Sequence, residues 1–223
     1  MKPRVTVGHT RTPDGEVIEL VLHDGDYRLM VGRSMLMTSR MHHAEEQLAT
    51  LACDGLASGA QLLVGGLGFG YTLRAALDLL PADGRATVAE LIPEIVAWNR
   101  GPLARLASAP LDDPRVAVHI GDVMDVVRCH DATFAAILLD VDNGPTPLVA
   151  RRNAAVYSDR GLRALRSALA PGGRLAIWSA DVAHGLAERL SRQGLTPTTH
   201  SVRSRPGRGG HHQVVIGYRP LRS

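Results

Sequence analysis

The chain has 223 residues, of which 45% are apolar and 4% aromatic, and its formal net charge is +3. This length fits one larger domain with a small appendage, and the aliphatic composition suits a parallel sheet buried under helices. No apolar run has the length of a membrane span and the N-terminus lacks a signal-peptide pattern, so we expect a cytoplasmic protein without a membrane partner. Cys53 and Cys129 have no CxxC or zinc-type spacing, which predicts two reduced thiols and no metal site.

Residues 1–40 contain four short runs in which apolar and polar residues alternate, and this pattern predicts an N-terminal β-meander. The predicted strands are residues 4–7, 17–22, 27–31 and 34–37, with turn-forming residues between them. An antiparallel sheet of this size does not fold alone. We therefore expect it to pack on the larger domain, residues 41–223, or on a second subunit.

From residue 41 the pattern becomes helical, and strands and helices then alternate. The predicted helices are residues 41–56, 71–80, 92–107, 122–129, 158–169 and 182–193. The predicted strands are residues 61–65, 86–90, 115–119, 134–140, 173–179, 195–203 and 212–219. This order predicts a Rossmann-like α/β fold with a mostly parallel sheet. The last two strands have no helix between them, which predicts an antiparallel hairpin at the edge of the sheet.

A glycine-rich turn follows the first strand of this α/β region. It contains four glycines, Gly65, Gly66, Gly68 and Gly70. A helical pattern begins at Tyr71, and the next strand ends in Glu90. This layout is typical of a nucleoside-binding βαβ unit. In such a unit the glycines let the ligand approach the backbone closely, and the helix N-terminus offers free N–H groups. The acid accepts hydrogen bonds from the ribose hydroxyls. Tyr71 either covers this ligand or packs in the core.

Acidic residues follow two further strands of the predicted sheet. Asp122 precedes Val123 after the third strand, and Asp140 and Asp142 follow the fourth. Ligands of open α/β sheets bind at the carboxyl ends of the strands. We therefore predict that Asp122 and the Val123 N–H hold adenine and that Asp140 lies beside a positive centre of the ligand. The alternatives are local: Asp122 as an N-cap and Asp140 as a turn residue.

These motifs resemble the spermidine synthase-like branch of the class I S-adenosylmethionine-dependent transferases, over nearly the whole chain from about residue 12. Residues 41–48 are similar to the helix that follows the N-terminal hairpin domain of aminopropyltransferases, and the glycine run is similar to their glycine loop. The resemblance implies a class I methyltransferase sheet and S-adenosylmethionine, or its decarboxylated form, as cofactor. It also implies that Glu90, Asp122 and Asp140 are the ribose, adenine and catalytic-loop acids.

Two departures from the family pattern bear on the reaction. Gly68 stands where aminopropyltransferases usually carry the aspartate that holds the amine of the decarboxylated donor. Their Asp-x-x-Asp-Pro loop is also altered, since Asp140 and Asp142 are two residues apart and no proline follows the second. We therefore expect the intact donor and methyl transfer to an amine or hydroxyl of a small molecule. The alternatives are spermidine synthase-type aminopropyl transfer from the decarboxylated donor and aminocarboxypropyl transfer from the intact donor.

Methyl transfer to an amine or hydroxyl requires a base near the reacting atoms. Asp140 and Asp142 are the first candidates. In the family that the chain resembles, the helix after the N-terminal domain borders the pocket, so His43, Glu45 and Glu46 are the second candidates.

The C-terminal part of the chain is basic, because no acid follows Glu188. The arginines in it include Arg192, Arg203, Arg205, Arg208, Arg219 and Arg222. An RNA-binding or RNA-modifying protein is thus a further hypothesis, although the low aromatic content disfavours base stacking and we expect nucleic acid not to be a partner. The segment 203–210 could instead bend over the site and grip an acidic acceptor, while His211 and His212 should point to opposite faces of their strand. A scaffold without activity also stays open, and the exposed meander edges suggest a homodimer.

Overall fold

The computed structural model describes residues 3–141, 153–179, 185–205 and 208–221. Within these residues the chain forms two β-sheets, a smaller N-terminal sheet and a larger mixed sheet. The first α-helix, α1 (His43–Cys53), connects them in sequence.

The N-terminal sheet is an antiparallel meander with the strand order β1-β2-β3-β4. Its strands are β1 (Val5–Arg11), β2 (Val17–His23), β3 (Asp26–Val31) and β4 (Ser34–Thr38). Asp24 and Gly25 form the turn between β2 and β3, and their φ values of 54° and 75° are those of a tight hairpin turn. The predicted meander is confirmed.

The larger sheet has the order β10-β11-β9-β8-β5-β6-β7 among the described residues. Its strands are β5 (Gln61–Gly65), β6 (Arg85–Glu90), β7 (Val116–Ile120), β8 (Phe134–Leu139), β9 (Leu169–Ser179), β10 (Thr196–Arg205) and β11 (Arg208–Tyr218). The strands from β9 to β7 pair in parallel, whereas β11 is antiparallel to both β9 and β10. The predicted parallel sheet with an antiparallel edge hairpin is therefore confirmed.

The remaining helices connect these strands. They are α2 (Tyr71–Leu79), α3 (Pro93–Arg100), α4 (Val123–Arg128), α5 (Asn153–Val156), α6 (Asp159–Ala168) and α7 (Leu186–Arg192). Helix α3 is shorter than the predicted helix 92–107, because Gly101 and Pro102 follow it and a proline disfavours helical backbone in the residue before it. Among the described residues, no helix is long and apolar enough to span a membrane.

Two apolar layers cover the two faces of the larger sheet. Leu62 and Val64 of β5 pack in one layer with α1, α2 and the meander residues Ile18 and Leu20. Leu63 packs in the other layer with α4, α6 and α7. This alternation follows from the two-residue period of a strand. It also places the meander and α1 on the same face, beside the loops that follow β5 and β8.

Candidate active site

The glycine turn lies where the strand order of the larger sheet reverses. From β5 the chain proceeds to β6 and β7 on one side, and β8 and β9 lie on the other side. Such a reversal is the usual ligand position in open α/β sheets. Gly66 has a φ of +89°, and a Cβ atom there would lie 2.3 Å from the carbonyl oxygen of Asp140. The turn can therefore lie against the loop after β8 only because residue 66 has no side chain.

Glu90 connects the end of β6 to the glycine turn. Its Oε2 accepts a hydrogen bond from the Leu67 N–H at 2.9 Å, and its Oε1 accepts one from the Ile92 N–H at 2.9 Å. Burial raises the pKa of Glu90, and the backbone N–H groups oppose this shift. A carboxylate has about four acceptor positions, so the two backbone bonds leave acceptor capacity for ribose hydroxyls. The structure thus shows a bracing contact that the sequence did not predict.

Asp122 is the N-cap of α4. Its Oδ1 accepts a hydrogen bond from the Met124 N–H at 2.8 Å, which is the local arrangement that we considered as an alternative to ligand binding. The residue also lines the cavity described below, together with Val123. Capping and adenine binding are therefore compatible, because a carboxylate can accept several hydrogen bonds.

Asp140 follows β8 and lies beside the glycine turn. Its backbone N–H donates to the Gly65 carbonyl at 2.9 Å, and its Oδ2 accepts from the Thr72 hydroxyl at 2.6 Å. Burial raises the pKa of Asp140, and the Thr72 hydroxyl opposes this shift. Thr72, in the first turn of α2, therefore orients the acid. No local pattern indicates this contact, since the two residues are 68 positions apart.

Glu45 enters the site from α1. It is 9% exposed and shares the inner face of the helix with Leu48, Ala49 and Ala52. Burial and then the charge of Asp140 raise the pKa of Glu45. The helical period of three to four residues, counted from the apolar positions, would have singled out Glu45 over Glu46.

These groups surround one cavity at the carboxyl edge of the sheet. Gly66 and Gly68 line it with the four carboxylates Glu45, Glu90, Asp122 and Asp140. The apolar lining comes from the meander, the segment after β6 and the end of β9, and includes Leu29, Leu36, Met37, Ile92, Ile95 and Trp178. No arginine or lysine is among the described residues that line it. The cavity therefore favours a ligand with an apolar body and positive charge.

Met37 was not among the expected site residues, and it lies next to Gly68. A Cβ atom on Gly68 would be 3.0 Å from the Met37 Cε and 3.1 Å from its Sδ. The meander thus occupies space into which a side chain at position 68 would extend. The sequence alone did not indicate this, because the contact joins the two sheets.

Tyr71 lies outside this lining, and its role in covering the donor stays a prediction. Its ring stacks on His42 with a centroid distance of 4.2 Å and an interplanar angle of 16°. Its hydroxyl donates to the Ser39 carbonyl at 3.1 Å. These contacts hold the residue against the segment between β4 and α1, and burial with the charges of Glu45, Glu46 and Asp26 raises its pKa to about 12.

His43 and Glu46 also lie away from the lining of the cavity. Glu46 contacts the His42 Nδ1 at 2.7 Å and the His43 Nδ1 at 3.7 Å, and its side chain is 41% exposed. Both residues are on the outer face of α1, because they are offset from the buried stripe that contains Glu45. Their role as a base stays a prediction, and neither side chain is in the lining of the cavity.

The other expected site residues lie as follows. Gly65 and Gly70 are outside the lining of the cavity. A Cβ atom on Gly65 would lie 3.0 Å from the Val123 side chain, and one on Gly70 would lie 3.0 Å from the Pro110 side chain, so both positions have little room for a side chain. Asp142 lies outside the described residues.

The basic C-terminal hairpin, β10 and β11, forms one lateral edge of the larger sheet. Arg203 and Arg205 are exposed on β10, which β11 and β9 separate from β8. His211 is exposed and contacts the Ser201 hydroxyl at 3.0 Å, whereas the His212 ring is 5.1 Å from the Trp178 ring. The adjacent histidines thus face opposite sides, as expected. Among its described residues, this hairpin adds none to the lining of the cavity.

The chain is similar to curated polyamine aminopropyltransferases. Those of Mycobacterium tuberculosis and Mycobacterium bovis are 30% identical to it over 158 residues, which cover 68% of this chain and 28% of each relative. The chain therefore matches only a minor part of the length of these relatives. No protein-family model matches it.

Solved structures of spermidine synthases share its fold. The enzyme from Thermotoga maritima has a TM-score of 0.78 and 18% identity, and the match covers 97% of this chain and 74% of that chain. A spermidine synthase in complex with the transition-state analogue AdoDATO has a TM-score of 0.80 at the same identity. A probable spermidine synthase from Corynebacterium glutamicum has a TM-score of 0.61. These likenesses confirm the predicted Rossmann-like fold with its N-terminal antiparallel sheet.

Proposed function

Because the chain is spermidine synthase-like in sequence and in fold, we propose that it transfers an aminopropyl group from decarboxylated S-adenosylmethionine to an amine of a small molecule. The observation that carries this proposal is the charge of the cavity. Four carboxylates line it, and no arginine or lysine is among its described lining residues.

The charge of the cavity favours the decarboxylated donor over the intact one. The intact donor has a sulfonium, an ammonium and a carboxylate, whereas the decarboxylated donor has only the two positive groups. A carboxylate placed among four acids without a cation is destabilised by repulsion and by loss of water. The absence of an acid at Gly68 led us to expect the intact donor and methyl transfer. Glu45 weakens that argument, since it brings an acid to the same cavity from another element.

In the proposed complex the nucleoside lies over β6 and β7. Glu90 accepts ribose hydroxyls, and Asp122 with the Val123 N–H holds the adenine. The sulfonium then lies over the glycine turn beside Asp140, whose charge stabilises it. The protein acts mainly by holding donor and acceptor in line.

The reaction is a direct displacement at the aminopropyl carbon that is bonded to the sulfonium sulfur. The acceptor ammonium first gives one proton to Asp140, whose raised pKa suits a base near neutral pH. The amine lone pair then forms the carbon–nitrogen bond, while the electrons of the carbon–sulfur bond move to sulfur. Methylthioadenosine leaves, and the acceptor carries the aminopropyl group.

Product analysis tests this proposal. The purified chain is incubated with either donor and a panel of short monoamines and diamines, and the nucleoside products are separated. We expect methylthioadenosine with the decarboxylated donor and little turnover of the intact donor. S-adenosylhomocysteine as the product would establish methyl transfer instead, and methylthioadenosine from the intact donor with a carboxylated product would establish aminocarboxypropyl transfer.

A further inference from the structure

Among the described residues, Glu45 differs from the other three carboxylates of the cavity in having no hydrogen-bond or ion-pair partner from another residue. Glu90 accepts two backbone N–H groups, Asp122 accepts one, and Asp140 accepts the Thr72 hydroxyl. Among the described residues, no hydrogen bond or ion pair joins the Glu45 side chain to another residue, although it is only 9% exposed. A buried carboxylate without a partner is costly. This cost is removed when a cation binds beside it.

The order of the strands places Asp140 at the end of the cavity that the donor tail would reach, and the charge of Asp140 acts on Glu45 in the same lining. Glu90 ends β6, Gly66 follows β5 and Asp140 follows β8, so these three groups occupy successive positions along the sheet edge. Neighbouring strands are about 4.8 Å apart, so the ribose acid and the β8 loop are separated by roughly 10 Å. A donor with its ribose at Glu90 and its sulfur over the glycine turn therefore directs its tail toward Asp140 and α1.

Position 68 cannot hold the end of that tail. Gly68 has no side chain, and Met37 lies 3.0 Å from the position that its Cβ would take. Glu45 lines the same cavity from α1, which packs against α2 and β8. The acid missing from the glycine turn is thus replaced in space by an acid from a different element.

We infer that Glu45 holds the terminal ammonium of the decarboxylated donor, while Asp140 acts at the sulfonium and the acceptor amine. This inference rests on the proposed function. It means that Glu45 determines the preference for the decarboxylated donor over the intact one. The ionisable groups whose charges act on Glu45 are Asp140 after β8 and Glu46 in the same helix, and Glu45 in turn acts on Tyr71 of α2. None of these is a cation that could already neutralise it.

Calorimetry with three nucleosides tests the assignment. The decarboxylated donor has both positive groups, 5′-dimethylthioadenosine has the sulfonium without the amine, and methylthioadenosine has neither. For Glu45→Gln we expect the decarboxylated donor to bind about 10- to 100-fold more weakly, the usual effect of losing a hydrogen bond between charged groups. The other two nucleosides should bind as before, within about twofold. Glu188→Gln, which removes an exposed acid of α7, is the matched control and should change none of the three.

The wild-type protein provides a second readout. Binding of an ammonium favours the ionised form of a buried acid, so binding of the decarboxylated donor near pH 7 should release protons. The release appears as a dependence of the calorimetric enthalpy on the buffer, and it should disappear in Glu45→Gln.

Two results would overturn the assignment. One is unchanged affinity of Glu45→Gln for the decarboxylated donor, and the other is an equal loss for 5′-dimethylthioadenosine, which would place Glu45 at the sulfonium. Failure of the proposed function looks different, because the wild-type protein would then bind the intact donor as tightly as the decarboxylated one.

Discussion

The two ends of the cavity are built in different ways. At the end proposed to bind the nucleoside (the nucleoside end), Glu90 and Asp122 accept hydrogen bonds from backbone N–H groups within a few residues of strand ends, and each acid stabilises a turn or a helix. At the end proposed for group transfer (the transfer end), Glu45, Met37 and Asp140 come from α1, the meander and the β8 loop. Among the described residues, one side-chain hydrogen bond reaches these two acids, from the Thr72 hydroxyl to Asp140. The contacts at the nucleoside end lie beside the ends of strands, whereas those at the transfer end join segments that are far apart in the sequence.

This difference bears on specificity. Backbone contacts depend on strand and turn geometry, so a nucleoside site of this kind can persist while side chains change. The transfer end has fewer such contacts, so a change at Gly68 can be matched by an acid elsewhere. We propose that the nucleoside end determines that an adenosine compound binds and that the transfer end determines which group is moved.

Asp140→Asn should have the largest effect. The asparagine can still accept the Thr72 hydrogen bond, so the fold should persist, whereas the base and the charge at the sulfonium are lost. We expect turnover to fall by about 10²- to 10⁴-fold, measured as initial rates of methylthioadenosine release. Full activity in this variant would show that Asp140 has no role in the reaction. The proposed functional difference between the two ends of the cavity would then be wrong.

Glu90→Ala and Asp122→Ala distinguish two structural roles at the nucleoside end. Glu90 stabilises the glycine turn, and Asp122 caps α4. Glu90→Ala leaves two buried N–H groups without acceptors and should lower the free energy of unfolding by about 2–3 kcal/mol. Asp122→Ala removes one helix cap and should lower it by about 1 kcal/mol. Urea unfolding measures both values, and nucleoside affinity should fall in both variants. Equal stability of the two variants would show that Glu90 does not brace the glycine turn.

A further expected effect is a pH dependence of stability at the transfer end. The folded-state pKa of Glu45 is raised, so the folded chain binds more protons than the unfolded chain above the ordinary glutamate pKa of about 4.3. Its stabilising contribution is complete below that pH and is lost as the pH rises through the raised value. The slope per proton is at most about 1.4 kcal/mol per pH unit.

Unfolding of Glu45→Gln across this pH range provides the comparison. The variant should gain stability relative to the wild-type protein as the pH rises, because it has no carboxyl to ionise. Parallel curves for the two proteins would mean that Glu45 ionises as it does in the unfolded chain.

The glycine turn, the meander and most of the strands were predictable because each depends on neighbouring residues. Asp24 and Gly25 predict their own turn, and Gly66 with Glu90 predicts a βαβ unit. The roles of Tyr71, His43 and Glu46 were not predictable in this way. The orientation of His43 and Glu46 depends on how α1 is rotated against the sheet, and Tyr71 of α2 packs on His42. The structure turns Glu45 toward the cavity and places His43, Glu46 and Tyr71 outside its lining.

The sequence by itself determined the two sheets, the order of strands and helices, and the acids at the strand ends, because hydrophobic period and turn chemistry act over a few residues. Only the tertiary structure decided that Met37 lies against Gly68, that Thr72 holds Asp140 and that Glu45 faces the same cavity. These contacts join segments far apart in the chain, and they form only when the meander and α1 pack on the sheet to bury their apolar faces.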